Sequence, residues 1–246
     1  MLGSVALLAV AAGPALAADL GTPPMQFKAA QQVYDWTGFY VGGHFSYTWT
    51  HTDSQTTNTA NGQLFAPTSG DTSYPHGGGQ FGFDYMTASR VVLGIVAEFT
   101  SGRDQTTTTA NRFVTVQNES DVKVNGNVRG RLGYAFDNLL LYGTAGWAWQ
   151  VASNSRTQIA GTVGNATPGT AETTTTGFDN GWVVGAGVDY AFAPNWDLFV
   201  EYKYLGVPDH TVTFPIAELS SKNSSSTNGI EVGLNWRFNG PGRAAY

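Results

Sequence analysis

The chain has no cysteine, which removes disulfides, thiolate metal sites and cysteine nucleophiles from the possibilities. Charge is scarce as well. Asp, Glu, Lys and Arg make up 12% of the 246 residues, about half of what a soluble domain usually carries. The formal net charge is -6, so the basic surface that a phosphate backbone requires is missing and nucleic acid is not an expected partner. No segment has the roughly 20 consecutive apolar residues of a membrane helix. Met1-Leu2-Gly3 also lacks the Lys or Arg that normally opens a secretory signal, which leaves room for a start upstream.

The residues after that opening still read as an export signal. Val5 to Ala12 is an apolar core too short to span a bilayer, and Ala15-Leu16-Ala17 is an A-x-A cleavage site, so 1–17 is the expected signal peptide. Residues 18–36 contain Pro23-Pro24 and little periodicity, as expected of a linker. An exported chain without a membrane helix can enter a membrane only as a closed barrel, because an open sheet edge leaves backbone groups unsatisfied in lipid.

Glycine (31 residues) and aromatics (13%) are plentiful, and their placement is periodic. In the last such stretch, Ile230, Val232, Leu234, Trp236 and Phe238 alternate with Glu231, Gly233, Asn235 and Arg237, giving an extended strand one apolar and one polar face. The same period-2 pattern recurs at 37–49, 77–85, 91–99, 123–135, 139–150, 182–192 and 198–204. The expectation is an all-β chain, an eight-stranded antiparallel up-and-down transmembrane β-barrel over 37–238 with a C-terminal tail at 239–246. Short turns at 86–89, 136–138 and 193–195 alternate with polar stretches at 50–74, 101–122, 151–180 and 206–228. The polar stretches, one of which carries the run Thr106 to Thr109, are expected to be long outer loops. A soluble lipocalin-type barrel or a sandwich would invert the two faces, exposing Arg129, Arg131, Glu201 and Lys203 to water. Aromatic residues clustered at strand ends and the export signal favour the membrane.

If the polar face lines a lumen, it carries Asp84, Glu98, Asp189, Glu201 and Glu231 against Lys123, Arg129, Arg131, Lys203 and Arg237, with His44 beside them. An eight-stranded barrel is just wide enough for side chains to fill. Balanced charges would pair across it, because an unpaired buried charge is far more costly than a paired one. A largely plugged lumen is therefore expected, with a low-conductance porin as the alternative. No catalytic residue, metal site or cofactor is expected. A lipid-acting barrel enzyme is the weaker alternative, drawing on His51, His76 or His210 near the outer rim. Gly77-Gly78-Gly79 and Gly185-Ala186-Gly187 do not open helix-like patterns, so phosphate loops are excluded on context.

Trp36-Thr37-Gly38-Phe39-Tyr40-Val41-Gly42-Gly43 resembles the first strand of the small porin-like, OmpA-type surface proteins of Gram-negative bacteria. Val128-Arg129-Gly130-Arg131-Leu132-Gly133-Tyr134, Leu141-Tyr142-Gly143-Thr144-Ala145-Gly146 and Gly185-Ala186-Gly187-Val188-Asp189-Tyr190 extend the resemblance over most of the chain. It implies an abundant, structural, surface-exposed protein of the bacterial outer membrane with no catalytic residues to carry over. It also implies that the end of the last strand, Leu234, Trp236 and Phe238, is read by the barrel-assembly machinery. The four polar stretches hold nine acids and four bases. This anionic rim is expected to meet outer-membrane lipids and lipopolysaccharide through divalent cations. The sequence names no further partner for the outer segments.

Overall fold

Alternating side chains carry the chain up and down eight times. The structure is a computed structural model that describes residues 33–110 and 113–238. The expected signal peptide at 1–17, most of the linker at 18–36 and the tail at 239–246 lie outside these residues. The strands are β1 (Gly38–Asn58), β2 (Thr68–Met86), β3 (Val91–Ala110), β4 (Thr115–Phe136), β5 (Leu139–Ala160), β6 (Ala171–Ala193), β7 (Trp196–Phe214) and β8 (Leu219–Arg237). Each pairs antiparallel with its sequence neighbours, and β8 returns to β1 to close the barrel. That closing seam runs from Tyr40 opposite Arg237 to Asn58 opposite Leu219, and the Phe238 N–H extends it by donating to Phe39 O at 3.0 Å.

Which way the two faces point decides between the membrane and soluble readings. Phe39, Phe45, Phe81, Ile95, Leu132 and Phe192 are each more than half exposed, whereas Asp84, Glu98, Arg129, Asp189 and Glu231 are buried. A barrel in water would bury the first set and expose the second, so the soluble alternative fails. Aromatic pairs edge this outward apolar band. Tyr47 with Trp49, Trp147 with Trp149 and Trp182 with Tyr204 mark its upper rim, and Tyr134 with Phe136 and Trp236 with Phe238 its lower one. From Phe39 to Trp49 a strand tilted by roughly 45° climbs about 24 Å, the height of an outer-membrane hydrocarbon band.

The turns at 87–90, 137–138 and 194–195 are short, and Arg90 (φ 66°) and Asp137 (φ 55°) take left-handed conformations in the first two. The opposite end corrects the sequence-based expectation. The polar stretches expected as long loops are mostly strand, and among the described residues the connections at this end are 59–67, 113–114, 161–170 and 215–218. Above the membrane both faces of a strand meet water, so no apolar alternation marks it. Threonine, with its branched Cβ, still favours the extended chain. Hydroxyls then join β1 to β8 in a ladder: Thr50 with Thr227 at 2.8 Å, Thr52 with Ser225 at 3.2 Å, and Thr56 with Ser221 at 2.9 Å.

These extensions do not form a continuous wall. The β2–β3 ladder stops at Gly78 opposite Thr100, and the β6–β7 ladder stops at Trp182 opposite Gly206. The other six ladders continue upward. The outer half is therefore two four-stranded lobes, β7-β8-β1-β2 and β3-β4-β5-β6. A clasp joins them on the β6–β7 side. The Glu172 carboxylate on β6 accepts the backbone N–H groups of Ile216 at 2.5 Å and Ala217 at 3.0 Å, and the Asn165 N–H donates to Ile216 O at 2.8 Å.

Candidate functional site in the barrel lumen

Inward-facing charges gather in two layers. The layer nearer the short turns is built on two arginines. Arg131, from β4, reaches Asp84 of β2 at 3.2 Å and pairs closely with Asp189 of β6. Arg237, from β8, reaches the same Asp84 oxygen at 3.0 Å and Asp197 of β7 at 2.8 Å. Gln80 donates to the Asn235 side-chain oxygen at 2.8 Å, and the Asn235 amide donates to Asp197 at 2.7 Å. Both guanidinium groups also lie against aromatic rings. Arg131 sits 3.6 Å from the Tyr142 centroid, and Arg237 lies 4.7 Å from Trp36 and 4.8 Å from Tyr40, within cation–π range.

The layer above combines one arginine, one lysine and three glutamates. Arg129 reaches Glu98 at 2.7 Å and pairs closely with Glu201, which also accepts the Thr144 hydroxyl at 2.7 Å. Lys203 lies 2.6 Å from Glu98 and 2.7 Å from Glu231. His44 and Ser46 complete the layer beside Glu231, at 3.2 Å and 2.9 Å. His44, Glu98 and Glu231 have the donor types of a metal site, with their ligand atoms all within 4.8 Å of one another. The Lys203 ammonium, however, already stands between both carboxylates, where a cation would sit.

Glycines make this density possible. A Cβ on Gly185 would meet Glu201 Oε1 at 2.5 Å and Thr144 Oγ1 at 2.7 Å, and one on Gly187 would meet the Tyr142 hydroxyl at 2.5 Å. Gly185 and Gly187 thus leave the room that the side chains of neighbouring strands occupy. A cavity among Tyr40, Gln80, Val96, Arg131, Tyr142, Thr144 and Glu201 measures about 10 Å³, scarcely the space of one water. Below the charges, Trp36 is fully buried in a cluster with Val92, Ala135, Leu140, Tyr142 and Ala191, and its carbonyl accepts from Arg237 at 2.9 Å.

Nine of the ten expected lumen charges are thus brought together; the side chain of Lys123 lies outside the described residues. Sequence reasoning missed Asp197, which adjoins the 194–195 turn, although it shares parity with Phe199 and Glu201 along β7. It also missed Trp36, which falls within the expected linker; only its position next to the first strand hinted at a plug. Of the histidines weighed for an enzyme, His51 and His76 stand five ladder positions apart, at the His51–Asp71 and Ser46–His76 pairs of β1 and β2. The side chain of His210 lies outside the described residues. His76 packs against Tyr74 with ring centroids 5.3 Å apart. His51 faces out above the Trp49 rim, held by Asp71 at 2.7 Å and Asp53 at 3.4 Å.

His51 carries a testable titration. The hydrogen bond to Asp71, followed by the charge of Asp53, raises its pKa above the ordinary histidine value. Because the folded value lies above the unfolded one, the interaction stabilises the outer end of β1 fully below pH ~6.5 and is lost as pH rises through the folded pKa. Solvent screens it, so the global effect is small. In a ring-proton NMR titration of the protein in nanodiscs, the His51 midpoint should lie above that of a free histidine. Asp71→Asn should bring it back down, and an unchanged midpoint would remove the role given to Asp71.

A family model described as outer membrane protein beta-barrel domain matches residues 4–238. The chain belongs to this outer-membrane β-barrel family. Its place is the bacterial outer membrane. Curated relatives in the same size range are the 31 kDa outer-membrane immunogenic proteins of Brucella melitensis biotype 1 and Brucella suis biovar 1. Each is 30% identical over 97% of this chain and 98% of its own. Among solved structures, the outer membrane protein OprG from Pseudomonas aeruginosa matches with a TM-score of 0.54 at 11% identity, over 85% of this chain and 99% of that one. This second likeness concerns the fold alone.

Proposed function

We propose that this outer-membrane barrel is a closed structural and surface-interaction protein with a plugged, charge-paired lumen. The observation that carries the proposal is the pair of buried ion-pair layers, in which Arg129 bridges Glu98 and Glu201 and Arg131 bridges Asp84 and Asp189 across the barrel. A conducting path would require separating Arg129 and Arg131 from carboxylates that they hold across the barrel, which leaves buried charges unpaired. The outer-membrane immunogenic relatives support a role at the cell surface. Two contacts belong to the same reading. The outward Leu234, Trp236 and Phe238 form the end that the barrel-assembly machinery reads. Asp53 and Asp71, just above the Tyr47–Trp49 rim, meet lipopolysaccharide phosphates through divalent cations. Planar-bilayer recordings of the purified protein should show no large, stable channel; sustained open-channel currents at neutral pH would replace this reading with the porin.

A further inference from the structure

The two gaps between the outer lobes expose different backbone edges. At the β6–β7 gap the clasp of Glu172 with Ile216 and Ala217 ties the lobes together. At the β2–β3 gap the ladder ends at Gly78 opposite Thr100, while β3 stays paired with β4 up to Ala110 opposite Thr115. Residues 101–110 are thus a ten-residue strand with a backbone ladder on one side only.

Edge strands are usually blunted by proline, because a missing N–H cannot extend a ladder. On the lobe containing β1, both bordering strands follow this rule. Pro75 sits on β2 opposite Tyr47, and Pro208 sits in the β7 irregularity between Val207 and His210. The β3 edge has no proline and instead carries Thr106-Thr107-Thr108-Thr109, a run with high strand propensity. Thr106 and Thr108 are exposed. A one-sided, proline-free strand of this length is suited to receive another extended chain through main-chain hydrogen bonds. The surrounding outer segments hold nine acids and four bases, so their field attracts positive charge. A second copy in the same membrane is a poor occupant, since its β3 would rise in the same direction and tilt across the first.

We propose that the edge of β3 at 101–110, which carries no backbone ladder to β2, is a docking strand for an extended, basic polypeptide segment of a partner outside the cell. This rests on the surface-interaction reading above, yet the two fail separately: channel currents would remove that reading alone, and loss of peptide binding would leave a closed barrel. The test uses the full chain in nanodiscs and a fluorescent dodecapeptide of alternating threonine and lysine. A control peptide of the same length and charge carries proline at every third position. The alternating peptide should bind saturably, at least tenfold more tightly than the control, and slow amide hydrogen exchange within 101–110 at least tenfold.

Thr107→Pro and Thr108→Pro, made separately, refine the test, because successive N–H groups point to opposite sides of a strand. One of the two should weaken binding at least tenfold while keeping the heat-modifiable gel mobility of the folded barrel. Equal binding of the control peptide, or unslowed exchange at 101–110, would overturn the proposal, and exchange on the unsubstituted protein decides it even if neither variant folds.

Discussion

Arg237→Ala should destabilise the folded barrel by about 3–5 kcal/mol, the cost of leaving a buried charge uncompensated. Arg237 is almost completely buried. It serves two carboxylates, Asp84 at 3.0 Å and Asp197 at 2.8 Å, and donates to the Trp36 carbonyl at 2.9 Å. Alanine would leave Asp197 with its neutral Asn235 contact and Asp84 with Arg131 alone. The stack on Trp36 and Tyr40 would go as well, loosening the plug beneath the lumen. Equilibrium urea unfolding in lipid vesicles measures the loss. The ion-pair account makes a sharper claim through the double variant with Asp197→Ala. Removing both partners should recover a substantial part of the single loss, a coupling that double-mutant cycles detect between contacting residues. Strict additivity would assign the cost of Arg237→Ala to lost packing instead.

Val232→Arg should cost about 2–4 kcal/mol, the penalty for a cation on the lipid face near the bilayer midplane. Val232 lies opposite Phe45 on β1 and Val200 on β7, midway between the aromatic rims, and its side chain faces outward. Its backbone ladder is unaffected by the change, so the penalty reports the surroundings of the side chain rather than the strand. Glu231, next along β8, is buried and faces the lumen. The same unfolding assay decides the matter, with Ser226→Arg as the comparison higher on the same strand, where the change should cost less than about 1 kcal/mol because water replaces lipid. Equal costs at the two heights would contradict the membrane placement.

Much of this was legible in the chain because strand alternation is local. Val232 and Glu231 are assigned opposite faces by their parity alone, and eight such segments with three short turns imply an even-stranded barrel. Ten lumen charges could be named on the same basis. Parity also contained Asp197, but its nearness to the Pro194-Asn195 turn disguised it. Trp36 had no periodic context, since its burial depends on Val92, Ala135 and Leu140 arriving from three strands.

The sequence by itself determined the strand number, the order of short turns and the two faces, all of which follow from side chains alternating every second residue. Tertiary structure alone decided the rest. Nothing in the alternation says which face meets lipid; the closed barrel does, because it buries Asp84, Glu98 and Arg129 and leaves Phe39, Phe81 and Leu132 outside. Nor does the alternation reveal strands above the membrane, where threonine and serine meet water on both faces and leave no pattern. The pairing of Arg129 with Glu98, the one-sided edge of β3 and the clasp at Glu172 join residues distant in sequence, and such contacts exist only once the ladders between strands have fixed the register.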